Sequence, residues 1–140
     1  MIHRKNPLEV LAEKYDPSKR HHNYLQHYWA HLRDVCNDIR RVCEIGVQTP
    51  NSVRMWEEFF PNAVIHGVDI DQKCQQIEGG RVRIHIGSQN DMVFLNEVVA
   101  SAGGPFDIVI DDGSHLIDHQ INTFNFLFPR MSDHGRFLQK

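Results

Sequence analysis

Asp111-Asp112-Gly113-Ser114-His115 sets two carboxylates, a hydroxyl and an imidazole side by side. They follow directly on the apolar run Ile108-Val109-Ile110, which reads as a strand buried on both faces. Parallel α/β sheets take their ligands just beyond the carboxyl ends of such strands. An imidazole that is largely neutral at pH 7 can accept a proton from an attacking hydroxyl. Neighbouring carboxylates repel, so a cation, a set of hydrogen-bond donors or water must compensate them. The blander reading is a strand-to-helix junction, with Asp111 or Asp112 capping backbone and His115 on the surface.

Two other strand ends repeat the pattern. Arg41-Val42-Cys43-Glu44-Ile45-Gly46 carries an acid and ends in glycine, and Ala63 to Asp69 ends in an acid 25 residues after Glu44. A glycine between strand and helix, followed by an acid at the tip of the next strand, suits a nucleoside whose ribose hydroxyls bond that acid. At Gly46 a side chain is expected to block close approach of the ligand. The fingerprint G-x-G-x-x-G is missing, since Gly46 is followed by Val47-Gln48-Thr49-Pro50-Asn51-Ser52; a close-packed pyrophosphate, and with it NAD, is disfavoured. Glu44 also reads as a strand-end acid bonded to nearby backbone, and either Asp69 or Asp71 as a loop cap.

These residues need a frame. Asn6-Pro7 opens a short helix to Tyr15, with Asn6 as cap and Pro7 in the first helical position. Asp16-Pro17-Ser18 breaks it. A second helix over His22–Arg33 carries the stripe Leu25, Tyr28, Trp29 and Leu32. Strands are expected over 41–45, 63–68, 81–86, 106–110 and from Gly135 onward, and helices from Thr49-Pro50, over 90–100 and over 118–128. Asp71 to Gly80 reads as a loop with a helical turn. Arg81-Val82-Arg83-Ile84-His85-Ile86 alternates strictly, the mark of a strand with one wet face at a sheet edge. Strands alternating with helices imply right-handed crossovers and a doubly wound, mostly parallel α/β sheet. The whole chain, 1–140, reads as one domain, with a helical cap over 1–38 and an α/β core over 39–140.

A length of 140 residues and a hydrophobic share of 41% fit one globular domain. A net charge of −3 gives no electrostatic reason to expect nucleic acid. No apolar run reaches membrane-span length and none forms a signal core behind Met1. Cys36, Cys43 and Cys74 lack metal-ligand spacing and read as reduced thiols, so a cytoplasmic location is expected. His27 and His31 are four residues apart on a helix, a zinc-compatible spacing without a third ligand nearby.

Glu44-Ile45-Gly46-Val47, Met55 to Ala63, Gly67-Val68-Asp69-Ile70-Asp71 and Asp107 to His115, with His119 and Phe124 to Pro129, resemble the class I S-adenosylmethionine-dependent methyltransferases. Within that class the resemblance is to the metal-dependent sugar O-methyltransferases of macrolide antibiotic biosynthesis. It implies a Rossmann-like methyltransferase fold with strand order 3-2-1-4-5, so that the alternating third strand falls on an edge. It implies S-adenosylmethionine as cofactor, held by Glu44 at the methionine end, Gly46, Asp69 at the ribose, Ser88 and Gln89 near adenine, and Asp111. It implies a divalent cation such as magnesium on Asp112, His115 as base, and a sugar or other small polyhydroxylated substrate. Lys19, His22 and Tyr24 resemble an N-terminal element that covers the cofactor cleft. Trp29 and Trp56 sit in apolar stripes and are expected in the core.

The sequence departs from that family at Asp16-Pro17-Ser18, where glycine-threonine-aspartate is usual, at His134-Gly135, where a glycine pair is expected, and in two further places. Relatives usually carry an acid at the position of Ser88. They continue past strand five into a further metal-binding acid and strands six and seven, for which Gln139-Lys140 offers no counterpart. The resemblance is thus to a C-terminally shortened member. An active methyltransferase and a module that binds cofactor without efficient transfer both remain open, with a dehydrogenase-like fragment behind them. An uncovered fifth strand leads to the expectation of a homo-oligomer.

Overall fold

The computed structural model describes residues 4–15 and 22–139. Asp16-Pro17-Ser18 and Lys19 lie outside them, as do the side chains of His22 and Tyr24. In chain order the elements are α1 (Pro7–Tyr15), α2 (His22–Leu32), β1 (Arg41–Ile45), α3 (Pro50–Phe59), β2 (Val64–Asp69), β3 (Val82–Ile86), α4 (Met92–Ser101), β4 (Ile108–Asp111), α5 (Ile117–Leu127) and β5 (Arg136–Gln139). A 3₁₀ turn, Gln72–Ile77, links β2 to β3, and another, Phe128–Arg130, follows α5.

The five strands form one parallel sheet in the order β3-β2-β1-β4-β5. This is the Rossmann-like methyltransferase arrangement, with helices on both faces. Register follows from burial. Val42 lies beside Ile65 and Ile108, and Cys43 beside His66 and Val109. Successive side chains of β1 therefore alternate between two apolar layers. One layer holds Val42, Ile65, Val82, Ile108 and Ile110 against Trp56 and Phe60 of α3 and Leu8, Tyr28 and Leu32 of α1 and α2. The other holds Cys43, Ile45, Val68 and Val109 against Leu95 and Val98 of α4 and Leu127 of α5. The N-terminal helices share the first core instead of standing off it.

Local chemistry sets the boundaries. The Asn6 side chain accepts the Glu9 N–H at 2.9 Å, and Glu9 reaches back to the Asn6 N–H at 3.3 Å, a reciprocal capping box. Pro50 opens α3 without a side-chain cap. Asp91 caps α4 by accepting the N–H groups of Val93 and Phe94, both at 3.1 Å. The Asp107 carboxylate accepts the N–H groups of Arg40 and Arg41, at 2.8 and 3.1 Å. That pair of bonds aligns the start of β4 with the start of β1, and so aligns their far ends, where the cleft opens.

Candidate functional site

A cleft of about 350 Å³ opens at the carboxyl ends of the strands. Its wall takes Ile45 and Gly46 from β1, Val68, Asp69 and Ile70 from β2, Gly87, Ser88 and Gln89 after β3, Gly113 and Ser114 after β4, and His119 from α5. The place is dictated by topology. The chain leaves β1 toward β2 on one side and reaches β4 on the other, so the loops diverge and leave a crevice.

Gly46 has φ +87°, and a Cβ there would stand 2.2 Å from the Asp112 carbonyl oxygen. Glycine is therefore required whatever fills the cleft, because the backbone after β4 by itself excludes a side chain. Gly46 N–H bonds Val68 O at 2.8 Å and Asp112 N–H bonds Ile45 O at 2.8 Å, locking the three strand ends together.

Asp69 stands on the cleft wall with both oxygens engaged. One accepts the Gln48 N–H and the other the Asp71 N–H, each at 2.9 Å. Gln48 is the one non-glycine residue with positive φ among those described, at +55°. Thr49 N–H meets Val47 O at 2.6 Å around it, closing a three-residue turn. Asp69 thus holds a tight turn of the β1–α3 loop. The Cys74 thiol also interacts with this carboxylate. Nothing in the residue type of Gln48 announces this conformation, so sequence reasoning missed it.

Glu44 and Asp111 lie behind the wall instead of on it. Glu44 is completely buried. Its carboxylate accepts the Trp56 indole N–H at 2.7 Å and the Ser52 hydroxyl, both from α3. Asp111 is also buried, and accepts the Gly113 N–H at 3.1 Å and the Gln89 amide at 3.2 and 3.3 Å. Burial pushes its carboxyl up from the usual range, while the Gly113 N–H, the Gln89 amide and the charge of His115 pull it down. The neighbouring acids are thereby separated: Asp111 is compensated by donors on one side of the strand end, and Asp112 is half-buried toward the other. Tyr28 of α2 registers that second side, its hydroxyl pushed up by burial and then by the charges of Asp112 and Glu44.

Ser88 lines the cleft, and its hydroxyl accepts the Asn90 N–H at 3.1 Å. Gln89 reaches the wall too, but its side chain is engaged with Asp111, Ser114 and Thr123. His115 is exposed and is not part of the wall, whereas His119, one turn of helix further on, is. Among the described residues no group of three or more His, Cys, Asp or Glu side chains stands together to hold a metal ion. None of them gathers the ligands of a dedicated protein cage, and water and substrate oxygens would complete the shell of a divalent cation on Asp112. Without such a group around them, His27 and His31, whose ring centroids are 4.5 Å apart, remain an aromatic edge contact.

No protein-family model matches the chain. Individual proteins do. It is 41% identical over 144 residues to the mycinamicin VI 2''-O-methyltransferase of Micromonospora griseorubida, a match covering 96% of this chain and 36% of that protein. It is 41% identical over 124 residues to the demethylmacrocin O-methyltransferase of Streptomyces fradiae, covering 84% of this chain and 31% of that one. The structure of the MycE methyltransferase of mycinamycin biosynthesis, in complex with Mg, SAH and mycinamycin VI, superimposes with a TM-score of 0.87 at 39% identity, over 98% of this chain and 39% of that one. The chain is a homologue of the macrolide sugar O-methyltransferases. It spans about a third of the length of the curated methyltransferases that it matches.

Proposed function

We propose that this methyltransferase homologue binds S-adenosylmethionine in the strand-end cleft and serves methyl transfer to a hydroxyl of a sugar or other small polyhydroxylated molecule. One observation carries the reading: Asp69 is the one carboxylate among the described residues of a glycine-rich wall that crosses the ends of β1, β2 and β4. An acid at this strand end, on the cleft wall, is suited to the two hydroxyls of a ribose. Exposed Ile70 beside it offers apolar surface for a base. The volume lies within the ~300–1,000 Å³ of small-molecule pockets. The mycinamicin and macrocin relatives act on macrolide compounds, which supports a glycoside as acceptor.

When bound, S-adenosylmethionine supplies a methyl group already activated by positive sulfur, so the protein's work is alignment and proton removal. Glu44 and Asp111 act from behind the wall. Glu44 ties α3 to the end of β1, and Asp111 anchors the turn that carries Asp112 and His115. His115, on the rim beside Ser114, takes the proton from the acceptor hydroxyl at its free ring nitrogen. Asp112, next to it, orients that region electrostatically. Asp112 would also hold a divalent cation, whose chemistry there would be to polarise the acceptor hydroxyl.

Cofactor binding without efficient transfer is the second reading, and the exposure of His115 outside the cleft wall favours it. A labelled-methyl assay against macrolide glycosides separates the two. Turnover that falls roughly 10²–10⁴-fold in His115→Ala, with S-adenosylhomocysteine affinity unchanged, supports transfer. Cofactor binding with no turnover on any acceptor establishes the second reading.

A further inference from the structure

Gln89 is buried at the meeting point of three segments. Its carboxamide nitrogen lies 3.2 and 3.3 Å from the two Asp111 oxygens and 3.0 Å from the Thr123 hydroxyl of α5. Its carboxamide oxygen accepts the Ser114 N–H at 2.6 Å. The Thr123 hydroxyl in turn lies 2.7 Å from the His119 carbonyl and 3.2 Å from the Gln89 carbonyl. An amide nitrogen has only two hydrogens to donate. With a carboxylate and a hydroxyl already in reach, it has none to spare for a ligand. Gly113 makes the approach possible, because a Cβ there would stand 2.2 Å from the Gln89 amide oxygen.

We propose that Gln89 is a positioning residue of this site: its side chain holds the Asp111–Ser114 turn against α5, and so sets the loop that carries Asp112 and His115 and the place of His119 on the cleft wall. The role deepens the cofactor-binding reading and rests on it. It is electrostatic as well as steric. Asp111 is a buried acid whose charge is supported by the Gln89 amide and the Gly113 N–H. Titratable groups around it include Asp112 and His115 on its own loop and the buried Cys43 thiol on β1. The amide at position 89 donates to Asp111 and accepts from Ser114, which keeps the turn closed.

The test is Gln89→Glu in the full chain. A protonated glutamic acid still donates to Asp111, whereas an ionised one repels it. Without ligand, amide hydrogen exchange at Gly113 and Ser114 is read at about pH 5.5 and about pH 8, the lower value approaching the range of a carboxyl raised by its acidic neighbour. Wild type should show similar protection at both. Gln89→Glu should be protected at the lower pH and lose about tenfold or more at the higher, as a lost charged hydrogen bond implies. Adding Asp111→Asn should erase that pH dependence. Thr123→Val, at a residue with no exposed surface, should weaken protection of the same amides and guards against misfolding of the charged variant. Equal protection at both pH values in Gln89→Glu, or a pH dependence that survives Asp111→Asn, overturns the proposal. S-adenosylhomocysteine titration of the same proteins should follow the exchange data. Failure of wild type to bind S-adenosylhomocysteine would overturn the cofactor reading, while the ligand-free exchange would still decide what Gln89 does.

Discussion

Gly46 shows how closely the strand ends are fitted. Its φ of +87° and the 2.2 Å approach that a Cβ would make to the Asp112 carbonyl leave no room for a methyl group. Gly46→Ala should therefore destabilise the chain by roughly 2–4 kcal/mol in urea unfolding, combining left-handed strain with overpacking. A loss under about 1 kcal/mol would show that the β4 loop gives way freely. The need for glycine here was legible from its place after a strand, but not its cause, because the excluding atom comes from Asp112, far along the chain. Thr123 was invisible for the same reason: its bond to Gln89 spans 34 residues, and a threonine inside a helix carries no signal of its own. The acids were legible as a set, since charge at the tip of an apolar run has few bland explanations. Their division into wall and support was not. It depends on which side of the sheet each carboxylate points, and on donors such as Trp56 that the sequence places in a core stripe.

At the scale of elements, β2 and β3 are joined by an unusual pair. His66 Nδ1 and His85 Nε2 lie 3.0 Å apart, with the rings stacked at 5.2 Å and Phe106 edge-on to His66. Burial first, then the charges of His85, Arg83 and Arg41, lower the His66 pKa to about 4, and burial lowers His85 as well. An unfolded histidine titrates near 6.5. The neutral folded pair is thus fully stabilising above that value and loses its contribution as pH falls from about 6.5 toward 4, by up to roughly 3 kcal/mol for His66. Urea unfolding of wild type should weaken over that window, and His66→Phe should flatten the loss. An equally steep loss in the variant would place the acid sensitivity elsewhere. Elements were legible wherever local chemistry agrees with packing. The Asn6–Glu9 capping box and Pro50 start helices, and the alternation of Arg81 to Ile86 marks an edge strand. The ends of β2 and α4 fall one or two residues from their expected positions, because Asp69 continues the ladder and Asp91 caps α4.

The whole molecule is a sheet in the order 3-2-1-4-5 with a crevice where the order reverses, and that much followed from alternating strands and helices together with the family resemblance. Among the described residues, no helix is long and apolar enough to cross a membrane. β5 ends the sheet, and Ile117, Ile121, Phe124 and Phe128 on and just after α5 are exposed. An exposed apolar face of this kind favours association, so sedimentation at micromolar concentration should show it; a well-folded monomer throughout would count against it. The most direct test of the account is calorimetric titration with S-adenosylhomocysteine, wild type beside Asp69→Ala, and NAD as control. The account predicts saturable one-to-one binding of S-adenosylhomocysteine and none of NAD. In Asp69→Ala the affinity should fall about tenfold or more, as loss of charged hydrogen bonds to a ribose requires. Equal affinity in the two proteins, or no binding to wild type, would contradict it.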